Sequence, residues 1–408
     1  MSDTDHCVIV GASHAGAQVA LNLSKAGWAG AITLLGEEPH LPYHRPPLSK
    51  DFLAGGKTLD QLHLRPQQHY DNAGVTLRLG ERVIAVNRDS HTVTLASGAS
   101  LAYDKLVFAT GARVRRLPID GESLPGVRYL RSAADIAAIQ RELDEVKNVV
   151  VIGGGYIGLE AAATMRKLGR DVTVVEAADR VLQRVTSPTM SRFFTRVHEE
   201  EGVRIIVDTG VTRFTGTDRL AGVELASGEI VAAELAIVGI GVIPNVELAA
   251  DAGLACSNGI DVDEYGATAD PDVYACGDCA HGTNRLFASP LRLESVQNAN
   301  DQGLCVAKAI AGDRKPYAAV PWFWSDQYDV KLQIAGLSQG YTSTQLRGDP
   351  DAGRSFALFY LDGDRLLAVD AINRPREFVA ARQLLAADAA FDARKLADES
   401  IPLKECRR

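Results

Sequence analysis

Two glycine-rich segments of the 408-residue sequence have the residue types and spacing that bind a pyrophosphate. The segments CVIVGASHAG at 7–16 and VVVIGGGYIG at 149–158 each begin with an apolar run and continue into a tight turn. A second apolar run follows each of them, at 32–35 and at 172–175. This repeat of strand, glycine turn, helix and strand predicts two dinucleotide sites, and FAD with a nicotinamide nucleotide is the expected pair.

The two turns differ at one of their three glycine positions. The second turn has Gly153, Gly155 and Gly158, whereas the first has Gly11, Ser13 and Gly16. Glycine lets the backbone approach the phosphates, and the helix that follows offers them its N-terminal amides. The hydroxymethyl group of Ser13 is therefore expected to push the backbone slightly off the pyrophosphate or to force a small rearrangement.

An acidic residue downstream of each turn indicates which nucleotide that turn binds. Glu176 ends the strand after the second turn, where a carboxylate binds an adenosine ribose and repels a 2′-phosphate. The next residues are Ala177 and Ala178 rather than a basic residue, so the second turn is predicted to bind NADH. In the first unit the equivalent strand ends at Gly36, and Glu37 takes the ribose position of a predicted FAD site.

The composition indicates an ordinary globular enzyme of two or three domains, with 46% hydrophobic and 23% charged residues. A formal charge of −9 argues against a nucleic-acid partner. No apolar run approaches the roughly 20 residues of a membrane span, and the start MSDTDH does not have the pattern of a signal peptide. The six cysteines are scattered along the chain, which is typical of proteins whose thiols stay reduced, so we expect a cytoplasmic protein. No metal site is predicted.

Two later segments are interpreted as a return to the first domain. LVFATGA at 106–112 and ATADPDVYACGDCA at 267–280 read as buried strands, and LAIVGIGVIPN at 235–245 closes the inserted domain. A helix is expected to begin near Cys279. Asp278, beside it, is a candidate to accept hydrogen bonds from the ribitol of FAD or, alternatively, to cap the N-terminus of that helix. The predicted domains are 1–113 with 244–318 for FAD, 114–243 for NADH, and 319–408 at the C-terminus.

The C-terminal segment from 319 differs in character from the rest of the chain. Its aromatic start, PWFWSDQ at 321–327, is interpreted mainly as core. Alternation in SFALFYLDGDRLLAVDAI at 355–372 predicts a hairpin that turns at 362–364, and a helix is expected over 375–388. These features indicate an α+β domain.

Five motifs together resemble a known family over the whole chain. They are LPYHRPPLSK at 41–50, GGGYIGLE ending at Glu160, ACGD at 275–278, ESVQNA at 294–299 and PWFWSDQ at 321–327. The chain resembles the FAD-dependent, NADH-using ferredoxin reductases of bacterial oxygenase systems, which are putidaredoxin-reductase-like and biphenyl-dioxygenase-reductase-like proteins. The resemblance implies an α/β fold of the glutathione-reductase type, with two Rossmann-type domains and an α+β C-terminal domain.

The resemblance also implies a reaction and a partner. NADH would give a hydride to flavin N5, and electrons would then leave singly to a [2Fe-2S] ferredoxin that serves a cytochrome P450 or a Rieske-type dioxygenase. Lys50 and Glu160 are the candidate catalytic residues, as a cation near N5 and its carboxylate partner. Because such ferredoxins are usually acidic, docking needs a local basic patch, for which the candidates are Arg65, Arg292, Arg314 and Lys331.

The predicted cofactor-binding residues follow these motifs. Those assigned to FAD are Gly11, Ser13, His14, Ala15, Gly16, Glu37, Arg45, Lys50, Ala109, Thr110, Gly111, Asp278, Ser295, Val296 and Trp324. Those assigned to NADH are Gly153, Gly155, Tyr156, Ile157, Gly158, Glu160, Glu176 and Gly241.

Three other functions remain open at this stage. The chain could reduce rubredoxin, or Cys276 and Cys279 could form a redox dithiol as in thioredoxin reductase. The second of these is disfavoured because the pair brackets Gly277 and Asp278 and because residues 114–243 contain no cysteine. The third alternative is a binding protein like apoptosis-inducing factor. Such a protein is expected to have a basic surface and long insertions, whereas this chain is acidic and compact.

Overall fold

The structure, a computed structural model, describes residues 5–287, 290–387 and 390–407. The described residues group into two compact units. The first unit comprises Met1–His44, Leu62–Arg113 and Ile243–Phe323, and the second comprises Arg45–Gln61, Val114–Val242 and Trp324–Arg408. The chain thus passes between the units within the short strands Ala112–Val114 and Val242–Pro244, and again within Trp322–Gln327.

A five-stranded parallel sheet forms the core of the first unit. Its strands, in spatial order, are Val273–Ala275, Lys105–Phe108, His6–Val10, Ala31–Gly36 and Val75–Leu79. The central strands are apolar on both faces and fully buried, as parallel strands covered on both sides must be. The same unit contains two small sheets, Val83–Asn87 with Thr92–Leu95 and Ser100–Ala102, and Ile260–Val262 with Ala280–Gly282.

Helices His14–Lys25 and Val296–Ile310 pack closely against each other in the first unit. Gly303 permits this approach, because a Cβ atom there would lie 2.8 Å from the carbonyl oxygen of Ala15. The unit's other α-helices are Gln67–Asn72 and Glu247–Asp251.

The second unit is built on another five-stranded parallel sheet. Its strands, in order, are Arg204–Ile206, Asp171–Val175, Asn148–Ile152, Leu235–Val238 and Val127–Tyr129. A three-stranded antiparallel sheet consists of Val211–Thr215, Gly222–Leu225 and Ile230–Ala232. The α-helices of this part are Ala133–Glu142, Tyr156–Lys167 and Pro188–Glu200.

The C-terminal part is an antiparallel sheet with two helices. Its strands, in order, are Trp322–Gln327, Val330–Gly336, Arg365–Ile372, Phe356–Asp362 and Ser343–Arg347. The predicted hairpin is confirmed, with Gly363 at a φ of +59° in its turn. The helices are Pro375–Leu385 and Ala393–Ala397, so the first ends three residues before the predicted 388, which lies outside the described residues.

Three details differ from the sequence-based expectations. No α-helix begins near Cys279: a single 3₁₀ turn, Gly277–Cys279, leads directly into strand Ala280–Gly282, whose pairing with Ile260–Val262 keeps the chain extended. Residues 45–61 group with the second unit because they hydrogen-bond to its first helices. The aromatic residues at 322–324 are only partly buried, so they lie outside the fully buried core.

The C-terminal sheet also groups with the second unit, and the division into three domains stays a prediction. None of the helices in the described part of the chain is long and apolar enough to cross a membrane.

Candidate functional site

The backbone of the second glycine turn, at 149–158, leaves no space for a side chain at its outer positions. Gly153 has a φ of +106°, and a Cβ atom there would lie 2.4 Å from the carbonyl oxygen of Gly239. A Cβ at Gly158 would lie 2.0 Å from the carbonyl oxygen of Gly153. Both glycines are therefore required by contacts within the protein itself.

Gly155, the middle glycine, is different. Its φ of −79° suits any residue, and, apart from its chain neighbours and its own helix, no atom of the described residues lies within 4 Å of the place where a Cβ would be. Gly155 precedes the helix Tyr156–Lys167, whose N-terminal amides favour an anion. Open space in front of a helix N-terminus fits a pyrophosphate. Of the two residues that follow, Tyr156 is half-buried and Ile157 is exposed.

Glu176 is fixed against this turn. Its Oε2 atom accepts a hydrogen bond of 2.7 Å from the Gly154 N–H, and its Oε1 atom accepts one of 2.8 Å from the Ala178 N–H. The carboxylate therefore stays at the turn in one orientation, as a ribose ligand must. Gly241, the last predicted NADH residue, accepts a hydrogen bond from the Arg115 N–H at its carbonyl oxygen and has a φ of +102°.

The outer glycines of the first glycine turn, at 7–16, are restricted in the same way. Gly11 has a φ of +119°, and a Cβ there would lie 2.1 Å from the carbonyl oxygen of Ala109. A Cβ at Gly16 would lie 2.0 Å from the carbonyl oxygen of Gly11. The outer glycines are thus fixed by the fold in both turns.

Ser13, at the middle position of the first turn, adopts an ordinary backbone conformation. Its backbone is extended, with φ −128° and ψ −157°, and its carbonyl oxygen accepts a 2.9 Å hydrogen bond from Ala17. Gly155 accepts the same bond, also of 2.9 Å, from Leu159. The middle position therefore needs neither a positive φ nor a close backbone contact, and the effect of Ser13 on a bound pyrophosphate stays a prediction.

The acidic residue of the first unit is not fixed in the same way. Glu37 follows strand Ala31–Gly36 directly, but its side chain is 70% exposed and its ion pair with Arg82 is 3.8 Å long. Neighbouring Glu38 accepts a 2.6 Å hydrogen bond from the Tyr43 hydroxyl.

Several other residues predicted to bind FAD lie in the first unit near the sheet's carboxyl edge. Thr110 follows strand Lys105–Phe108 and donates from Oγ1 to the carbonyl oxygen of Asn245 at 2.7 Å. Gly111 has a φ of +64°, so only glycine is comfortable there. His14 is buried, with its ring in edge contact with His44.

Asp278 lies in the 3₁₀ turn Gly277–Cys279, where its carbonyl oxygen accepts a hydrogen bond from Arg292. Ala15 packs against this turn, because a Cβ at Gly277 would lie 2.9 Å from that of Ala15. Ser295 caps helix Val296–Ile310 by accepting from the Asn298 N–H at 3.1 Å.

Lys50 and Glu160, the two predicted catalytic residues, are brought together in the second unit. Lys50 Nζ lies 2.5 Å from Glu160 Oε2, and the side chains are 19% and 1% exposed respectively. Helix Tyr156–Lys167 carries Glu160, while Lys50 follows the 3₁₀ turn Pro46–Ser49. A buried carboxylate is tolerated only when its charge is paired and hydrogen-bonded, and both conditions hold here.

The segment before Lys50 is held by the same helix. Ser49 donates from Oγ to Glu160 Oε2 at 2.6 Å, and its carbonyl oxygen accepts from Thr164 Oγ1 at 2.7 Å. Glu160 and Thr164 are four residues apart, so they share one face of the helix. Arg45, at the start of the segment, donates to the carbonyl oxygen of Arg131 at 2.7 Å.

A third hydroxyl reaches Glu160 from the C-terminal sheet. Ser325 donates from Oγ to Glu160 Oε1 at 2.6 Å. Ser325 and Gln327 are buried, whereas the intervening Asp326 and the preceding Trp324 are only partly buried, as alternation in strand Trp322–Gln327 requires.

Ser49, Ser325 and Gln327 lie in the motifs RPPLSK and FWSDQ, but the sequence alone predicted no role for them. Polar residues two apart on the buried face of a strand were the available signal for Ser325 and Gln327. No comparable signal marked Ser49, whose partner Glu160 is 111 residues away.

The two cysteines next to Asp278 are not arranged as a reactive dithiol. Cys276 and Cys279 are free and fully buried. Burial raises the pKa of the Cys276 thiol well above its usual range and also raises the pKa of Cys279. Both therefore remain protonated at neutral pH, the unreactive form.

Comparison with known proteins adds to this geometry. Residues 5–303 match the family described as pyridine nucleotide-disulphide oxidoreductase, and residues 322–407 match the reductase C-terminal family. Rhodocoxin reductase of Rhodococcus erythropolis is 46% identical over 97% of this chain and 93% of its own length. The ferredoxin reductase subunit of 5,5'-dehydrodivanillate O-demethylase from Sphingobium is 45% identical over 98% and 97%.

One solved structure is similar over nearly the whole chain. The putidaredoxin reductase in its covalent complex with putidaredoxin is 43% identical to this protein, with a TM-score of 0.96. The match covers 99% of this chain and 98% of that chain.

Proposed function

Because the chain belongs to the pyridine nucleotide-disulphide oxidoreductase family, whose members use FAD and NAD(H), we propose that it is an NADH-dependent ferredoxin reductase. Its electron acceptor is a [2Fe-2S] ferredoxin that feeds a cytochrome P450 or a Rieske-type dioxygenase. The observation that carries the proposal is the buried Lys50–Glu160 pair, in which a hydrogen-bonded carboxylate holds a cation in place. The near relatives are named as reductases for such ferredoxin and oxygenase systems.

The two glycine turns fit two pyrophosphates. At Gly11 and Gly153 the backbone has no side chain where it approaches the N-terminus of a helix. The middle position of the second turn, Gly155, leaves free space for a ligand. We assign FAD to the first turn and NADH to the second, where Glu176 would accept hydrogen bonds from the adenosine ribose.

When bound, FAD accepts a hydride from NADH and passes its two electrons on one at a time. The protein's part is orientation and charge. Lys50 supplies a cation to offset the negative charge that reduction creates, and Glu160 fixes where that cation lies. Because Glu160 is buried and receives three hydrogen-bond donors, its carboxylate cannot swing away from Lys50 during the reaction.

A disulfide substrate is the less favoured alternative. A dithiol mechanism needs an accessible thiolate, whereas Cys276 and Cys279 are buried thiols. A rubredoxin acceptor would use the same cofactors and the same pair of charged residues, so only a direct comparison of acceptors separates it from a [2Fe-2S] ferredoxin.

Two of the four docking candidates are already neutralised. Arg292 lies 2.7 Å from Glu294, and Arg314 lies 3.5 Å from Asp263 and stacks on Tyr265. The exposed Arg65 and Lys331 remain as candidates for a basic contact with an acidic ferredoxin. We also propose a cytoplasmic location, since all six cysteines are free thiols.

Anaerobic stopped-flow with NADH and a panel of [2Fe-2S] ferredoxins, rubredoxin and thioredoxin tests the proposal. We expect a yellow protein whose flavin is reduced by NADH and then reoxidised fastest by a [2Fe-2S] ferredoxin, more slowly as salt rises. Fast reduction of thioredoxin, or no ferredoxin faster than oxygen, would contradict the assignment. A reduced flavin that persists in a stable complex would instead indicate a binding protein.

A further inference from the structure

A line of buried, hydrogen-bonded side chains begins at Glu160 Oε1. Ser325 Oγ lies 2.6 Å from that oxygen, and Gln327 Nε2 lies 3.1 Å from Ser325 Oγ. His198 Nε2 lies 2.8 Å from Gln327 Oε1. All three side chains are fully buried, so water does not compete for these hydrogen bonds.

The chemistry of the groups fixes the direction of each hydrogen bond. A carboxylate only accepts, so Ser325 must donate its single hydrogen to Glu160 and can accept from the Gln327 amide. Gln327 then has only its carbonyl oxygen left for His198, so the His198 Nε2 atom must carry a hydrogen. Nδ1 of the neutral ring is the acceptor, and the Tyr328 hydroxyl, 3.3 Å away, donates to it.

Burial supports this arrangement, because it lowers the pKa of His198 to about 4 and leaves the ring neutral at pH 7. Every donor in the line therefore points toward Glu160. The dipoles of these hydrogen bonds are therefore aligned, and the row ends at Glu160 Oε1, the carboxylate oxygen that is not bonded to Lys50.

We propose that Ser325, Gln327 and His198 are positioning residues that hold the Glu160 carboxylate in the orientation that places the Lys50 ammonium. This inference rests on the proposed function, since it assigns them to the same reaction. With Oε1 held by Ser325, the plane of the carboxylate is fixed and Oε2 stays with Lys50 and Ser49. Without Ser325, a buried oxygen loses its donor and the carboxylate must turn to find another.

The tautomer of His198 tests the line directly, without reference to activity. We expect NMR of the ¹⁵N-histidine-labelled holoenzyme at pH 7 to show one neutral ring with its hydrogen on Nε2, which the His198→Gln variant removes from the spectrum. A ring with hydrogen on Nδ1, or a charged ring, would overturn the proposed direction of the hydrogen bonds.

The effect on positioning is measured with Ser325→Ala. We expect the rate constant for flavin reduction by NADH, from anaerobic stopped-flow, to fall about 10-fold, with the Kd of NADH within about twofold. Ser191→Ala is the matched control, because Ser191 is equally buried and donates an equally short 2.6 Å hydrogen bond, but to the carbonyl oxygen of Val181. An equal loss in the control would overturn the inference.

A double mutant separates this inference from the proposed function. If Ser325 acts through Glu160, adding Ser325→Ala to Glu160→Gln should slow flavin reduction by less than about twofold further. A further loss of about 10-fold would show that Ser325 acts otherwise and would overturn the inference. If Glu160→Gln alone leaves flavin reduction unchanged, the role proposed for Glu160 fails, while the His198 tautomer still decides whether the line exists.

Discussion

The two glycine turns use one backbone design but are under different constraints. In both, the outer glycines are forced by the fold, because a Cβ at Gly11 or Gly153 would strike a carbonyl oxygen of a neighbouring strand end. The middle positions, Ser13 and Gly155, have a negative φ, and a Cβ at Gly155 would meet no atom of the described residues beyond its chain neighbours and its own helix. The fold therefore requires glycine at the outer positions, whereas contacts within the protein do not require it at the middle position.

The acidic residues of the two units also differ. Glu176 is tied to the second turn through the Gly154 N–H, whereas Glu37 is exposed and has a long ion pair with Arg82. The turn that we assign to NADH thus has a preformed carboxylate in Glu176, whereas Glu37, beside the turn that we assign to FAD, is not fixed. A nucleotide that enters and leaves in every cycle gains from a preformed site, because no side chain has to be ordered on binding.

The largest expected effect is on stability. Gly11→Ala or Gly153→Ala should each lower the free energy of unfolding by at least about 3 kcal/mol, since each combines a positive φ with a Cβ less than 2.5 Å from a carbonyl oxygen. Gly155→Ala, as the control, should cost less than about 1 kcal/mol. Urea unfolding of the three variants measures this, and an equal loss at Gly155 would contradict the distinction between outer and middle positions.

The second expected effect is on nucleotide choice. We expect the wild type to prefer NADH over NADPH by at least about 100-fold in kcat/KM, because the fixed Glu176 carboxylate repels a 2′-phosphate. Glu176→Ala with Ala177→Arg should narrow this preference. Glu37→Ala, the matching change in the first unit, should leave it unaltered, and equal use of both nucleotides by the wild type would refute the assignment.

Exchanging the middle residues should have a smaller effect. Gly155→Ser should raise the KM for NADH about fivefold, because a hydroxymethyl group enters the open space, while the free energy of unfolding changes by less than about 1 kcal/mol. Ser13→Gly should leave the Kd of FAD within about threefold. A large loss of stability in Gly155→Ser would mean that the fold, not the ligand, needs this glycine.

The smallest effect is expected beside the first turn, at the buried cysteines. Replacing Cys276 and Cys279 together by Ser should keep flavin reduction and ferredoxin reduction within about threefold, because neither buried thiol is a thiolate that could carry electrons. Anaerobic titration with dithionite should take up only the two electrons of the flavin. Uptake of four electrons would restore the dithiol mechanism.

Patterns that are local in the sequence predicted much of this protein. Both glycine turns, the strands that flank them and the hairpin at Gly363 follow from apolar runs and glycines a few residues apart, which restrict the backbone wherever they occur. The position of Glu176 was also predictable, since it directly follows the strand Asp171–Val175, whose place in the chain the glycine turn sets.

The tertiary structure alone decided how Glu160 is surrounded. Ser49 and Ser325 lie 111 and 165 residues from Glu160 along the chain, so no spacing in the sequence could place either hydroxyl on its carboxylate. The short 3₁₀ turn at Cys279 had a similar origin, because the pairing of the strand that follows it with a distant strand sets its length. Local sequence limits which conformations a segment can adopt, but the donors of a buried charge come from segments that only the fold brings together.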